Sequence, residues 1–163
     1  MKKVILSIVV LILGMISSCE KKKNETENKT STERFETINN SAENNKKLVL
    51  DFYQKLFGDK DLSAIDKYVA EDYIQHNPTV ADGAEALKKE AEIWFKGQGK
   101  TSIDVQHAAA EGDLVFLHIK NSNPDGTLTS TIDIFKVING KIVEHWDVHQ
   151  NVPKESKNQH PMF

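Results

Sequence analysis

The chain has a single cysteine, Cys19, so no intrachain disulfide can form and stability must come from a packed core. It has no excess of basic charge. Lys and Arg number 21 against 24 Asp and Glu, the formal net charge is −3, and no basic stripe is present. That argues against nucleic acid as a partner, because phosphate-backbone binding needs clustered positive charge. It has no apolar run of membrane-spanning length. The run Val4 to Ile16 falls short of the ~20 residues that a spanning helix needs. There is also no internal repeat, no glycine-rich phosphate loop and no strand–helix alternation, which disfavours a dinucleotide-binding fold. No nucleophile-elbow motif accompanies any serine, so serine or cysteine nucleophile chemistry finds no support.

What is present begins with a leader. Lys2 and Lys3 precede the apolar run, and the small residues Ser17 and Ser18 precede Cys19. The run has the length of a secretory h-region. Ile16-Ser17-Ser18-Cys19 resembles the bacterial lipobox, which implies lipid on Cys19 and cleavage just before it. The expected organisation is a signal peptide over 1–18 and a flexible tether over 19–45, rich in Lys, Glu, Asn, Thr and Ser. Such a composition cannot bury enough apolar surface to offset its ordering entropy. A folded domain over 46–152 and a loose polar tail over 153–163 complete the chain. The expected location is the cell envelope, anchored outside the cytoplasm, with the membrane as a partner through the acyl chains on Cys19.

The domain reads as helices followed by strands. Leu48, Val49, Phe52 and Leu56 recur at helical spacing, with Gly58 at the expected C-cap. Asp61 can cap a second helix carrying Leu62, Ile65 and Tyr68. Asp82 and Glu85 form a capping pair for a third, whose buried face is Leu87, Ala91 and Trp94. Strands are expected over 102–108, 114–120, 128–138 and 141–149. They are separated by turns at Glu111-Gly112-Asp113, Asn123-Pro124-Asp125-Gly126 and Asn139-Gly140. This order gives an α+β layer fold with three N-terminal helices on an antiparallel sheet.

Three stretches carry a family resemblance. They are Asp72-Tyr73-Ile74-Gln75-His76-Asn77-Pro78, Thr131-Ile132-Asp133-Ile134-Phe135-Lys136-Val137, and Asn139-Gly140-Lys141-Ile142-Val143-Glu144-His145-Trp146-Asp147-Val148. Together with the element order they resemble the SnoaL-like polyketide cyclases of the NTF2-like (ketosteroid isomerase-like) superfamily over about residues 46–152. The resemblance implies a cone-shaped fold, with a curved sheet wrapped around the helices and a pocket between them. It also implies homodimerisation through the sheet and proton transfer beside a carbonyl without cofactor or metal. Fold membership alone does not assign a reaction.

Asp133 is the leading catalytic candidate. Aspartate is depleted in strands, yet this one lies between Ile132 and Ile134. A carboxylate in a dry site is costly unless paired, and desolvation favours the neutral acid, which suits general acid–base work. The resemblance places the acid–base Asp of an aldol closure in the matching strand. His118 interrupts the apolar strand around Val115, Phe116, Leu117 and Ile119, and a buried imidazole needs partners. It can orient Asp133 or bind a substrate oxygen, or it is a satisfied structural histidine. His76 and Asn77 edge the pocket in the family pattern, where polar groups can hold a carbonyl or enolate oxygen. Locally, Asn before Pro also favours a turn. Trp94, Phe116, Phe135 and Trp146 read as core ahead of pocket wall, and Trp146, which belongs to the recognised stretch, has the best claim of the four to line the pocket.

His145, Asp147 and His149 alternate along one strand and share a face. Neighbouring pairs can chelate a metal, but the alternation also fits a solvated face, and no metal is expected. The hairpin leaves the face of Asp133 open. A two-residue turn at Asn139-Gly140 sets it on the face of Trp146, and a three-residue loop with a bulge at Gly140 sets it on the face of His145 and Asp147. The leading expectation is a pocket for a small apolar or carbonyl-bearing molecule. The alternatives are a non-catalytic hydrophobic-ligand binder and a dimeric interaction module.

Overall fold

The computed structural model describes residues 33–34, 36–123 and 125–163. The leader, Cys19 and the first part of the expected tether lie outside the described residues. Among the described residues, no helix is long and apolar enough to cross a membrane.

The folded unit runs from Asn40 to Phe163. It therefore starts before the domain boundary expected at residue 46. Residues 40–53 are helical (α1), and Ala42 is already buried. The polar composition around Ala42 masked this first stretch of the helix.

Helix α1 runs into a π-helical turn, Gln54–Gly58, and buries Val49, Phe52, Tyr53 and Leu56. Gly58 is not a left-handed C-cap. It is buried, and a Cβ there would stand 2.8 Å from the Thr101 carbonyl oxygen. Gln54 fastens the same end, donating to that carbonyl and accepting the Ile103 N–H at 3.1 Å each. Helix α2 (Ser63–Tyr68) is short and buries Ala64, Ile65 and Tyr68. Asp61 precedes it and accepts the Ser63 N–H, but the N-cap position falls on Leu62, which has no side-chain cap bond.

The chain then departs from the expected order. Val69–Gln75 forms strand β1 before helix α3 (Ala84–Trp94) begins, so the helices are not consecutive. Asp82 does not cap α3. Its carboxylate accepts the Gln75 N–H at 2.7 Å, and Gly83, at φ 94°, enters the helix instead. Strands β2 (Asp104–Glu111), β3 (Leu114–Ser122), β4 (Leu128–Ile138) and β5 (Lys141–Asn151) form the antiparallel meander. β1 joins β5 in parallel, so the five strands lie in the order β1-β5-β4-β3-β2 and the curved sheet is mixed rather than antiparallel.

One face of the sheet packs on the helices. Val115, Leu117 and Ile119 of β3, Phe135 and Val137 of β4 and Ile142 of β5 meet Phe52, Leu56 and Ile65 there. Each such side chain contributes roughly 1.5–3 kcal/mol on burial. The outer face is less covered, with Ile74, Ile132 and Val148 exposed.

The tail expected to be loose carries a contact of its own. Phe163 stacks on His118, and the Lys120 ammonium lies over its ring.

Candidate functional site

The hairpin between β4 and β5 decides which side chains meet the interior. It combines both alternatives left open by the sequence. The turn has two residues, Asn139 at φ 50° and Gly140 at φ 74°, and Ile138 pairs with Lys141. A bulge does exist, but within β5. Val137 pairs with Ile142 and Lys136 with Glu144, which leaves Val143 as the extra residue. A bulge reverses the alternation beyond it. Ile142 and His145 therefore both face inward, and Asp133 and Phe135 lie opposite Asp147 and His145.

Asp133 is buried, with 4% of its surface exposed. Its Oδ1 lies 3.0 Å from His145 Nε2, and its Oδ2 accepts the Tyr53 hydroxyl at 3.0 Å. His145 Nδ1 lies 3.0 Å from Gln75 Oε1. The same Gln75 oxygen accepts the Asn77 backbone N–H at 3.0 Å, and a backbone N–H can only donate. That fixes the Gln75 amide, and hence requires a proton on His145 Nδ1. Nε2 is left to face Asp133 Oδ1, and the two side chains form one hydrogen-bonded pair.

A second pair adjoins the first. Asp147 accepts the Asn77 side-chain amide at 2.9 Å on both oxygens, and its Oδ2 is 3.3 Å from His149 Nε2. Burial works to raise the Asp147 pKa, but the hydrogen bonds from His149 and Asn77 outweigh it and hold this carboxyl below its ordinary range. His149 is raised, mainly by its bond to Asp147. Thr131, itself buried, contacts His149 Nδ1 at 2.8 Å. Burial, followed by the charges of nearby aspartates, pushes both Tyr53 and Tyr73 well above the usual phenol range, so both stay neutral donors. Tyr73 accepts from Gln75 Nε2 at 3.0 Å, and among the described residues no acceptor takes its own hydroxyl proton.

These groups line a cavity of about 350 Å³, within the range of small-molecule sites. Phe52, Phe57, Val80, Leu87, Trp94 and Phe135 supply its apolar wall. Asp133, His145 and Asp147 each offer a ligand atom within 4.8 Å of the other two, the one such group among the described residues.

Of the five residues expected to act in catalysis or substrate binding, Asp133 and Asn77 belong to this cavity. His118, His76 and Trp146 do not. His118 pairs with Ile132 on the outer face, where it contacts Ser130 at 2.8 Å and His107 at 3.1 Å. Its neighbours Leu117 and Ile119 are the ones that point inward. Trp146 pairs with Ile134 on that same outer face, and the bulge is the reason. His76 stacks on Trp146 with ring centroids 4.5 Å apart and meets Glu144 at 2.9 Å. The sequence pointed to His145, Asp147 and His149 as a set and left open whether Asp133 shares their face, which it does. Tyr53, Tyr73 and Gln75 went unread. Gln75 stands inside a recognised motif, whereas Tyr53 looks like any core aromatic of α1.

The model of the SnoaL-like polyketide cyclase family matches residues 47–156. No curated protein matches the chain. Several solved structures share its fold. AclR from Streptomyces galilaeus is 23% identical, with TM-score 0.55 over 68% of this chain and 91% of that one. An NTF-2 like protein of unknown function from Burkholderia xenovorans LB400 is 21% identical, with TM-score 0.56 over 71% and 91%. TsrD from Streptomyces laurentii is 21% identical, with TM-score 0.52 over 63% and 85%.

Proposed function

The chain belongs to the SnoaL-like polyketide cyclase family, and from that premise we propose that its cavity takes a small, mainly apolar molecule bearing a carbonyl, beside which Asp133 and His145 move a proton. The observation that carries this reading is the Gln75–His145–Asp133 chain opening on an apolar cavity. Asp133 as carboxylate takes a proton from the carbon next to the carbonyl. His145, held by Gln75, supports the charge change on Asp133, and Asp133 returns the proton to carbon. The Tyr73 hydroxyl, whose proton is uncommitted, donates to the developing enolate oxygen. His149 stands on the same wall as a further donor. The chemistry needs no cofactor, because each step is a proton transfer between groups already in the cavity.

The test starts from a thermal-shift screen of small carbonyl compounds against the full-length chain. For each binder, exchange of the proton next to the carbonyl is followed by NMR in D₂O. The expected result is catalysed exchange that Asp133→Asn reduces by about 10²–10⁴-fold, with the binding shift retained. Undiminished exchange in Asp133→Asn overturns the mechanism. Binding without any exchange in the wild type assigns a binding module instead.

The leader supports the further reading that this domain works in the cell envelope, held by lipid on Cys19. A Cys19→Ala variant retained in full in the membrane fraction would count against it. The exposed apolar side chains Ile74, Ile132 and Val148 support pairing of two copies through the outer face of the sheet.

A further inference from the structure

We infer that Asp133, His145 and Asp147 form a binding site for a first-row divalent cation of the zinc type, with its fourth position open to the cavity. This site does not depend on the acid–base reading.

The first argument is distance. Two ligands at about 2.1 Å from a tetrahedral ion stand about 3.4 Å apart. The ligand atoms of the three side chains lie within 4.8 Å of one another, and the His145 Nε2 to Asp133 Oδ1 separation is 3.0 Å. Separations of up to 4.8 Å exceed that spacing, so binding requires side-chain rotation to close the three onto one ion.

The second argument is the supporting shell. A metal-ligating histidine gives its other ring N–H to an oxygen, which fixes the tautomer and aims the lone pair. His145 does this already. Its Nδ1–H is held by Gln75 Oε1, and Gln75 is locked in turn by the Asn77 N–H. Asp147 is likewise aimed, by the Asn77 amide on both oxygens and by His149 at 3.3 Å. One loop residue, Asn77, thus orients two of the three ligands.

The third argument is charge. Asp133 and Asp147 face each other across the ladder. Two carboxylates in such a place are mutually destabilising, and a divalent ion between them offsets both charges. The donor set is imidazole and carboxylate without thiolate, which suits zinc and its neighbours better than a soft-metal site.

The cavity beside the three groups supplies room for water or a carbonyl oxygen at the open position. An ion bound there takes the place of the Asp133–His145 hydrogen bond. Metal occupancy and the proton shuttle therefore exclude one another, a consequence that rests on the acid–base reading even though the site does not.

The experiment is isothermal titration of ZnCl₂ into the full-length chain in detergent after treatment with a chelator. The expected result is one ion per chain. His145→Gln and Asp147→Asn should each abolish that binding. Gln75→Leu, which touches no ion, should weaken it about 10–100-fold. His107→Ala removes the other close histidine pair, on the outer face, and should leave it unchanged. Circular dichroism establishes that each variant is folded. No one-site binding by the wild type overturns the proposal, as does binding that survives both His145→Gln and Asp147→Asn in folded protein. The carbonyl-exchange assay is scored separately, on Asp133→Asn in chelator, so failure of one reading leaves the other standing.

Discussion

Asp133 and Asp147 stand directly across from each other in the β4–β5 ladder, two carboxyl groups on one inward-facing pair. Like charges so placed cost about 0.2–1 kcal/mol. The protein keeps both by surrounding them with Tyr53, His145, Asn77 and His149. An asparagine at 133 can accept from Tyr53 and donate to His145 Nε2 without the charge. Asp133→Asn should therefore unfold in urea with its free energy unchanged or raised by up to about 1 kcal/mol, while losing the exchange activity. A loss of more than about 2 kcal/mol would show that the carboxylate is held for the fold rather than for chemistry.

Tyr53→Phe should behave in the opposite way. It leaves Asp133 Oδ2 buried without its donor. The expected cost is about 1–3 kcal/mol in urea unfolding. A neutral result would mean that water replaces the hydroxyl.

The Asp147–His149 pair predicts a pH window. His149 is raised above its ordinary 6.5, so its contribution is full below 6.5 and fades as pH rises through the raised value. Asp147 is lowered from 3.8, so its contribution is full above 3.8 and is lost as pH falls through the lowered value. The pair stabilises most between those limits. His149 is half-exposed, so the effect is below about 1 kcal/mol. In metal-free buffer, wild type should exceed His149→Ala in urea midpoint near about pH 5 and match it near about pH 9. A difference that does not vary with pH would refute the ion pair.

Gly58 should resist substitution for an unusual reason. Its backbone is helical, where Ala normally gains about 1 kcal/mol over Gly. Here a Cβ meets the Thr101 carbonyl and the Gln54 side chain that ties the end of this helix to the segment leading into β2. Overpacking of this kind costs about 1–3 kcal/mol, so Gly58→Ala should destabilise on balance. A rise in melting temperature would show that the α1–β2 junction yields.

Val148 is 65% exposed on the outer face, and Ile132, its ladder partner, 38%. If two copies pair there, light scattering should report a dimer for the wild type and a monomer for Val148→Asp. A wild-type monomer at all concentrations would remove the sheet face as an interface.

The sequence exposed the parts of this fold that obey simple periodicity. The hairpins at Gly112 and at Asn139-Gly140 and the apolar face of α1 were readable because turn chemistry and spacing are local properties. Asp133 was readable because a charge inside an apolar strand demands a reason. His118 misled by the same logic. Both faces of β3 carry apolar residues between Leu114 and Ile119, so an interruption does not reveal which side it lies on. β1 was missed because Val69–Gln75 has no clean alternation and its partner, β5, comes some seventy residues later. Asp82 resembles a helix cap in sequence, and only the return of the chain to Gln75 shows what it binds. The catalytic candidates were therefore half visible, and the missing half depends on pairing register.

Val143 deserves a genetic reading. Because it is the odd residue in β5, every side chain downstream owes its inward or outward aim to that one insertion. Removing a single codon there would trade His145, Asp147 and His149 for Trp146 and Val148 along the hollow, turning a reactive lining into a greasy one with no other change in the gene. Related chains that differ by one residue at this point should thus fall into two chemical kinds despite near-identical text on either side.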